Sequence, residues 1–273
     1  MVDLRNGVIM MASPLQQVLI MEATQKWTPL NLGAAVKWWF DASLITGSNG
    51  DPQSTIVDKS ASAYNLTQTG TNRATLVTEA QNSLNVLQFA QANSQYYPFT
   101  PATPLGTPSA ASMYFVWKDA NAAGTDLNIV FSLGSSANES HYPYTDGNFY
   151  NDFGSTVRYA PGIPTNAANI WRVCSHYSAL NDWAIYVDGG TGGSGGGTSP
   201  LGHSASNTVG FTSTTKFGGG KAGYYGNCQF GEVVITNAQQ STSDRQKMEG
   251  YLAWKWGIQG NLSASHPYKT AAP

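Results

Sequence analysis

The sequence predicts an all-β fold: a two-sheet antiparallel β-sandwich of the jelly-roll kind, with one C-terminal amphipathic helix and a short N-terminal helical extension. Short runs rich in aromatic and β-branched residues recur, separated by turn signals every 10–20 residues. No long helical period appears before Ser243. The chain has 29 glycines, 12% aromatic and 11% charged residues, where charge usually reaches about a quarter. That balance suits sheets whose outer faces are polar but uncharged.

Residues 1–30 read as an attachment extension and 31–273 as the sandwich domain. In the extension, Ser13-Pro14-x-Gln16 offers a helix start, with Ser as cap and Pro at the first helical position. A helix of about ten residues is marginal alone, so its apolar residues need a surface, either the domain itself or a neighbouring protein. Leu15, Val18, Leu19 and Met21 are the candidate partner-binding residues.

Strands are expected at Val36–Asp41, Asn85–Phe89, Ser112–Lys118, Asn128–Leu133, Ile170–Tyr177 and Trp183–Val187. In the last of these, Trp183, Ile185 and Val187 share one face, and Ala184 and Tyr186 the other. Asp188-Gly189 then provides a turn suited to positive φ. Gly189–Gly197, with seven glycines in nine residues, reads as a flexible hairpin tip. Gly231–Ile235 is the closing strand and Asn237–Ser241 a polar turn. Ser243–Trp256 is the amphipathic helix: Ser243-x-x-Gln246 caps it, Met248, Leu252 and Trp256 line its apolar face beside Tyr251, and Gly257 ends it. It is expected to pack on the rim of the sandwich.

The ending G-E-V-V-I-T-N … D-R-Q-K-M-E-G-Y-L-A-W-K-W-G … L-S-A-S-H-P-Y-K resembles the C-terminal end of concanavalin A-like (laminin G/pentraxin-type) domains, of the kind found in bacteriophage structural proteins and bacterial surface proteins. A-V-K-W-W-F-D-A-S resembles the opening strand of that family, and S-T-I-V-D-K-S-A-S-A-Y-N-L-T-Q its following strand and turn. N-V-L-Q-F-A-Q-A-N-S-Q-Y-Y is similar to a family hairpin, and W-R-V-C-S-H-Y … W-A-I-Y-V-D-G to its central pair. The resemblance covers roughly residues 33–270. It implies a two-sheet jelly roll, often carbohydrate binding, and calcium as the usual metal.

Net charge is −2 and the 14 basic residues are scattered, so no clustered cations offer a nucleic-acid surface. No apolar run reaches the roughly 18 residues of a membrane span. The stretch Gly7–Ala12 after Arg5 has the flavour of a signal peptide, but it is short, and Ser13-Pro14 and Gln16-Gln17 break the apolar run. Cys174 and Cys228 permit one disulfide at most.

Glycoside hydrolysis needs two carboxylates flanking the scissile bond. The 16 acidic residues are dispersed and no predicted strand carries two, so the expectation is a non-enzyme; a pair assembled from different strands is the exception left open. His141, His176, His203 and His266 are isolated, with His176 read as a core residue and His266 as a capping one. Asp146, Asn148 and Asp152 offer oxygen ligands for Ca²⁺, or Asp146-Gly147 and Asn148 simply make a turn. Aromatic faces beside amides and carboxylates bind sugars. The candidate glycan residues are Tyr142, Tyr144, Asp146, Asn148 and Tyr150 on one loop, with Tyr224 and Tyr225 on a second.

These readings lead to a non-enzymatic bacteriophage protein on the virion surface, decorating the capsid or associated with the tail. Its expected partners are other virion proteins, further copies of itself and a host-surface glycan. The alternatives are a glycan-binding receptor module of a tail fibre and a lectin-like bacterial cell-surface protein.

Overall fold

A computed structural model of the chain describes residues 26–99, 105–120, 131–136, 138–164, 169–192, 197–211, 215–220 and 223–273. Leu15, Val18, Leu19 and Met21 lie outside the described residues. The described chain opens with a 3-10 turn, Pro29–Ala35, where the Asn31 side chain accepts the Thr28 N–H. Strands follow as β1 (Val36–Asp41), β2 (Thr55–Ile56), β3 (Leu66–Thr67), β4 (Thr75–Gln81), β5 (Leu84–Phe89), β6 (Tyr97–Pro98), β7 (Ala110–Asp119) and β8 (Phe131–Ser132). Next come β9 (Phe149–Asn151), β10 (Tyr159–Gly162), β11 (Arg172–Ala179), β12 (Asp182–Val187), β13 (Gly202–Ser204), β14 (Lys216–Phe217) and β15 (Cys228–Thr236), then the helix α1 (Thr242–Lys255).

Eight strands form one antiparallel sheet in the order β13-β12-β11-β7-β15-β5-β4, with β1 also paired to β15. β15 is its hub. One edge pairs with β7 along its length; the other pairs with β5 through Cys228–Phe230 and with β1 through Glu232–Thr236. The change of partner falls at a bulge, where Gly231 is the extra residue between the Phe230–Trp117 and Glu232–Val116 pairs. A Cβ on Gly231 would lie 2.8 Å from the Trp256 ring, so only glycine lets the helix sit this close.

The bulge separates two environments. Phe230 points inward, where Phe89 and Phe115 of the large sheet meet Phe131 and Phe217 of the facing ribbon β6-β14-β8. These rings stand 4.8–5.7 Å apart, near the edge-to-face optimum. They join the two layers. Glu232 points to the other face, under α1.

That helix lies across the outer face of the large sheet and not on its rim as expected. Arg245 stacks 3.7 Å from the Tyr186 ring of β12. Ser175 of β11 donates to Glu249 at 2.7 Å, and Tyr251, Lys255 and Trp256 all donate to Glu232. The cap is Ser241 and not Ser243: its Oγ accepts the Asp244 N–H and donates to the Asp244 carboxylate. Asp244 favours this frame, because a carboxylate in the first turn complements the helix dipole. Gly257 ends the helix at φ +66° as expected.

The remaining elements largely follow the sequence reading. β1 has the expected limits, β12 the expected faces, and Asp188 and Gly189 both adopt positive φ. Of the strand expected at 128–133, residues 128–130 lie outside the described set, and Phe131–Ser132 is strand. Asp58 organises the turn after β2 by accepting the N–H groups of Trp39, Ser60 and Tyr64. Cys174 and Cys228 are both buried and unpaired with each other; the Trp117 indole donates to Cys174 Sγ at 3.1 Å.

Leu252 is fully buried between helix and sheet. Leu252→Ala is expected to lower unfolding free energy by about 2–5 kcal/mol, as a cavity left beneath the helix. Urea denaturation measures it, and a loss below about 1 kcal/mol would show that the helix is peripheral.

Candidate functional site: an aromatic surface around His141

Residues 141–150 form a small hairpin. His141 and Tyr150 exchange backbone hydrogen bonds at 2.8 and 2.9 Å, and at the tip Tyr144 N–H donates to Asn148 O and Gly147 N–H to Tyr144 O. Gly147 has φ +80°, which is why Asp-Gly suits this turn. Asp146 accepts the Asn148 N–H at 2.9 Å and the Tyr150 hydroxyl at 2.9 Å. These bonds with Asn148 and Tyr150 hold its carboxyl below the usual range, and the bond to Asp146 raises the Tyr150 hydroxyl.

This geometry brings Tyr144 and Tyr150 together at 5.5 Å, with His141 at 4.9 Å from Tyr144 and 6.5 Å from Tyr150. Tyr224 arrives from the other candidate loop, 6.4 Å from His141 and 43% exposed. Arg158 lies 4.5 Å from the Tyr150 ring centre; the pairing of Tyr159 with Asn151 between β10 and β9 carries it there. Tyr225 faces a neighbouring group, 5.8 Å from Tyr96, whose ring carries Lys216 at 4.9 Å. Sequence reasoning misses Tyr96, Arg158 and Lys216, since nothing local in the sequence marks them.

His141 is the centre of the arrangement. It is only 4% exposed and its Nδ1 has no hydrogen-bond partner. Burial, followed by the charge of Arg158, pushes it down to about 4, so at neutral pH it is an uncharged imidazole. A buried polar atom without a partner costs roughly 1–3 kcal/mol. With Nδ1 enclosed, His141 serves as the packed floor on which the Tyr144, Tyr150 and Tyr224 rings rest.

Two expectations for this loop are corrected. Tyr142 is not a surface aromatic: it is 0% exposed, its ring packs on Phe115, Trp117 and Phe149, and its hydroxyl donates to Asn151. It belongs to the core because its side chain turns inward from the same hairpin that holds Tyr144 outward. The three proposed calcium ligands do not converge either. Asp146 is exposed at the tip, whereas Asp152 is buried and accepts the Ser140 hydroxyl at 2.6 Å. The Asp146 and Asn148 groups close the turn, and among the described residues no three His, Cys, Asp or Glu side chains cluster as a metal site.

Pairing of β1 with β15 places two carboxylates side by side, Asp41 opposite Glu232, which no single strand could reveal. Lys255 bridges them at 2.7 and 2.6 Å. Burial raises the Glu232 carboxyl against the pull of Lys255; burial also acts on Asp41, but Lys255 and Lys59 outweigh it and hold Asp41 low. Glu232 is fully buried, so this pair is an internal ion cluster. Two clefts of about 300 and 380 Å³ border it, one lined by Leu44, Val57 and Lys59 and the other by Trp27, Tyr251 and Trp254. His266 and Ser175 both bond Glu249 directly, an order in which histidine cannot take the serine proton. His176 is a core residue, 3.1 Å from Asn151.

No protein-family model and no curated protein matches the sequence. Solved structures similar to this chain include a sialidase of Trypanosoma rangeli, at 12% identity and a TM-score of 0.50 over 88% of this chain and 37% of that one. The same sialidase in complex with the inhibitor DANA gives 13% identity and a TM-score of 0.51, again over 88% and 37%. The chain therefore spans little more than a third of the sialidase's length. At this identity the likeness establishes the fold. Fold and site together define a β-sandwich module carrying a partly exposed cluster of aromatic rings.

The division of the tyrosines is measurable. Tyr142→Ala is expected to cost about 3–5 kcal/mol of stability, as for a large core aromatic, while Tyr144→Ala stays within about 1 kcal/mol. Thermal melts of the two variants check it, and similar losses would place both rings in the core.

Acid stability follows from His176. Burial pushes it down to about 3 from 6.5, so the unfolded chain takes up a proton near pH 6.5 and the folded chain only near pH 3. Stability is therefore complete above pH 6.5 and falls as pH drops through that window, by roughly 1 kcal/mol per pH unit. His141, held down to about 4, adds to the same slope between pH 6.5 and 5, so His176→Gln should roughly halve the dependence of the melting temperature on pH in that window; an unchanged slope would assign the acid limb to another group.

Proposed function

We propose that this chain is a non-enzymatic, lectin-like module that binds a glycan through the surface formed by Tyr144, Tyr150, Tyr224 and His141. The observation that carries the reading is the gathering of the Tyr144, Tyr150 and Tyr224 rings around His141, with Asp146 and Arg158 beside Tyr150. Pyranose C–H faces pack on aromatic rings while their hydroxyls need nearby donors and acceptors. Arg158 supplies the donor and Asp146 the acceptor. The non-catalytic part rests on the placement of the acids: the cross-strand pair Asp41 and Glu232 is buried and bridged by lysine, and Asp146 is the acid of the aromatic surface.

The resemblance of the chain's ending to phage structural proteins supports a finer reading, in which the module is displayed on a virion surface, on capsid or tail, and attached through its N-terminal segment. A tail-fibre receptor module or a bacterial surface lectin would use the same glycan surface.

Tyr144→Ala combined with Tyr150→Ala is expected to abolish glycan-array binding while changing the melting temperature little. The unaltered protein is expected to release no reducing sugar from any polysaccharide it binds. Binding that survives the double substitution would move the site elsewhere, and sugar release would make the module an enzyme.

A further inference from the structure

The consecutive residues Tyr224 and Tyr225 join two aromatic groups built from matching parts. On one side Tyr224 approaches His141 at 6.4 Å, beside Tyr150 with Arg158 laid 4.5 Å from its ring. On the other Tyr225 stands 5.8 Å from Tyr96, whose ring carries Lys216 at 4.9 Å. Each group thus pairs a tyrosine bearing a cation with one ring of the shared dipeptide. Local backbone pairing holds Tyr225 in place: its residue bridges Gly219, and Gly220 N–H donates to Tyr224 O at 2.8 Å. Gly219 admits this approach, since a Cβ there would lie 3.0 Å from the Tyr96 side chain and 3.4 Å from Tyr225. Lys216 is fixed as well, donating to Gly220 O at 2.8 Å.

We propose that this aromatic surface binds a glycan chain along its length, across two adjoining subsites, one centred on His141 and the other on Tyr96 and Tyr225. The proposal rests on the glycan-binding reading above and adds that the target is a polymer segment of at least two sugar units, not a single terminal sugar. Each subsite offers an aromatic face for the C–H side of one pyranose and a cation to donate to its hydroxyl oxygens. The first unit bound holds the second at high local concentration over the neighbouring rings, so affinity must grow with chain length.

The test is an array printing each sugar series as monosaccharide, disaccharide and tetrasaccharide, probed with the full chain. The expected result is a signal about tenfold or more stronger for the tetrasaccharide than for the monosaccharide of the recognised series. Tyr96→Ala and Tyr225→Ala should each bring the ratio of tetrasaccharide to monosaccharide signal down to about one. Lys216→Gln, which keeps both rings, should give a partial loss of the same length increment and serves as the check should an alanine variant fail to fold. Equal signals for one and four units would overturn this proposal and leave the glycan-binding reading standing. The same holds for variants at 96, 216 and 225 that bind like the wild type. No binding to any printed sugar would overturn both.

Discussion

A single buried carboxylate holds the architecture together. Glu232 sits in the middle of the large sheet, fully enclosed, and accepts from the Trp39 indole at 2.7 Å, the Tyr251 hydroxyl at 3.0 Å, the Lys255 ammonium at 2.6 Å and the Trp256 indole at 3.0 Å. Enclosing a carboxylate without partners costs several kcal/mol, so these donors are a condition of folding. They come from β1 and α1, at opposite ends of the described chain. Lys255 also reaches Asp41, which Lys59 approaches from the other side. A second enclosed acid repeats the arrangement toward β11: Glu249 takes Arg245, Ser175 and His266. His266 Nδ1 accepts the Tyr268 N–H, which leaves Nε2 to carry the proton it offers Glu249. The C-terminal loop is thereby tied to the helix.

Long elements were legible because they carry a period. Trp183–Val187 alternates over enough residues to declare strand and face together, and Val36–Asp41 is marked as strand by its run of aromatic and β-branched residues. In the facing layer β8 falls within the strand expected at 128–133, but β6 and β14 are two residues each, and a pair of residues has no periodicity. The helix cap was ambiguous in the sequence because both Ser241-x-x-Asp244 and Ser243-x-x-Gln246 fit the capping pattern. Its seat on the sheet was hidden for another reason, since Trp39 and Glu232 are 193 residues apart and only the pairing of β1 with β15 introduces them.

The candidate site divides in the same way. A Tyr-rich hairpin with an Asp-Gly turn could be read locally, and Tyr144, Asp146 and Tyr150 do gather there. Tyr142 could not be told from Tyr144, because residues two apart in an irregular loop have no fixed relation to the core; the bond to Asn151 and the packing on Trp117 decide it. Asn148 contributes its backbone N–H to the turn. Arg158, Tyr96 and Lys216 come from segments with no distinguishing composition, and strand pairing assembles them. His141 stood in the sequence only as an isolated histidine. Its place among three rings comes from two loops meeting.

The bulge at Gly231 also sets the parity of the closing strand. Strand side chains alternate strictly, so residues up to Phe230 and residues from Glu232 onward belong to opposite counts. After the bulge, Val233 and Ile235 stand opposite Phe40 and Trp38 on the aromatic side, while Glu232 faces the helix. Removing one residue here would exchange the two populations, driving the carboxylate among the phenylalanines and the aliphatic side chains toward the indoles. A loop has no such alternation to keep. The closing strand of this domain can change length only in steps of two.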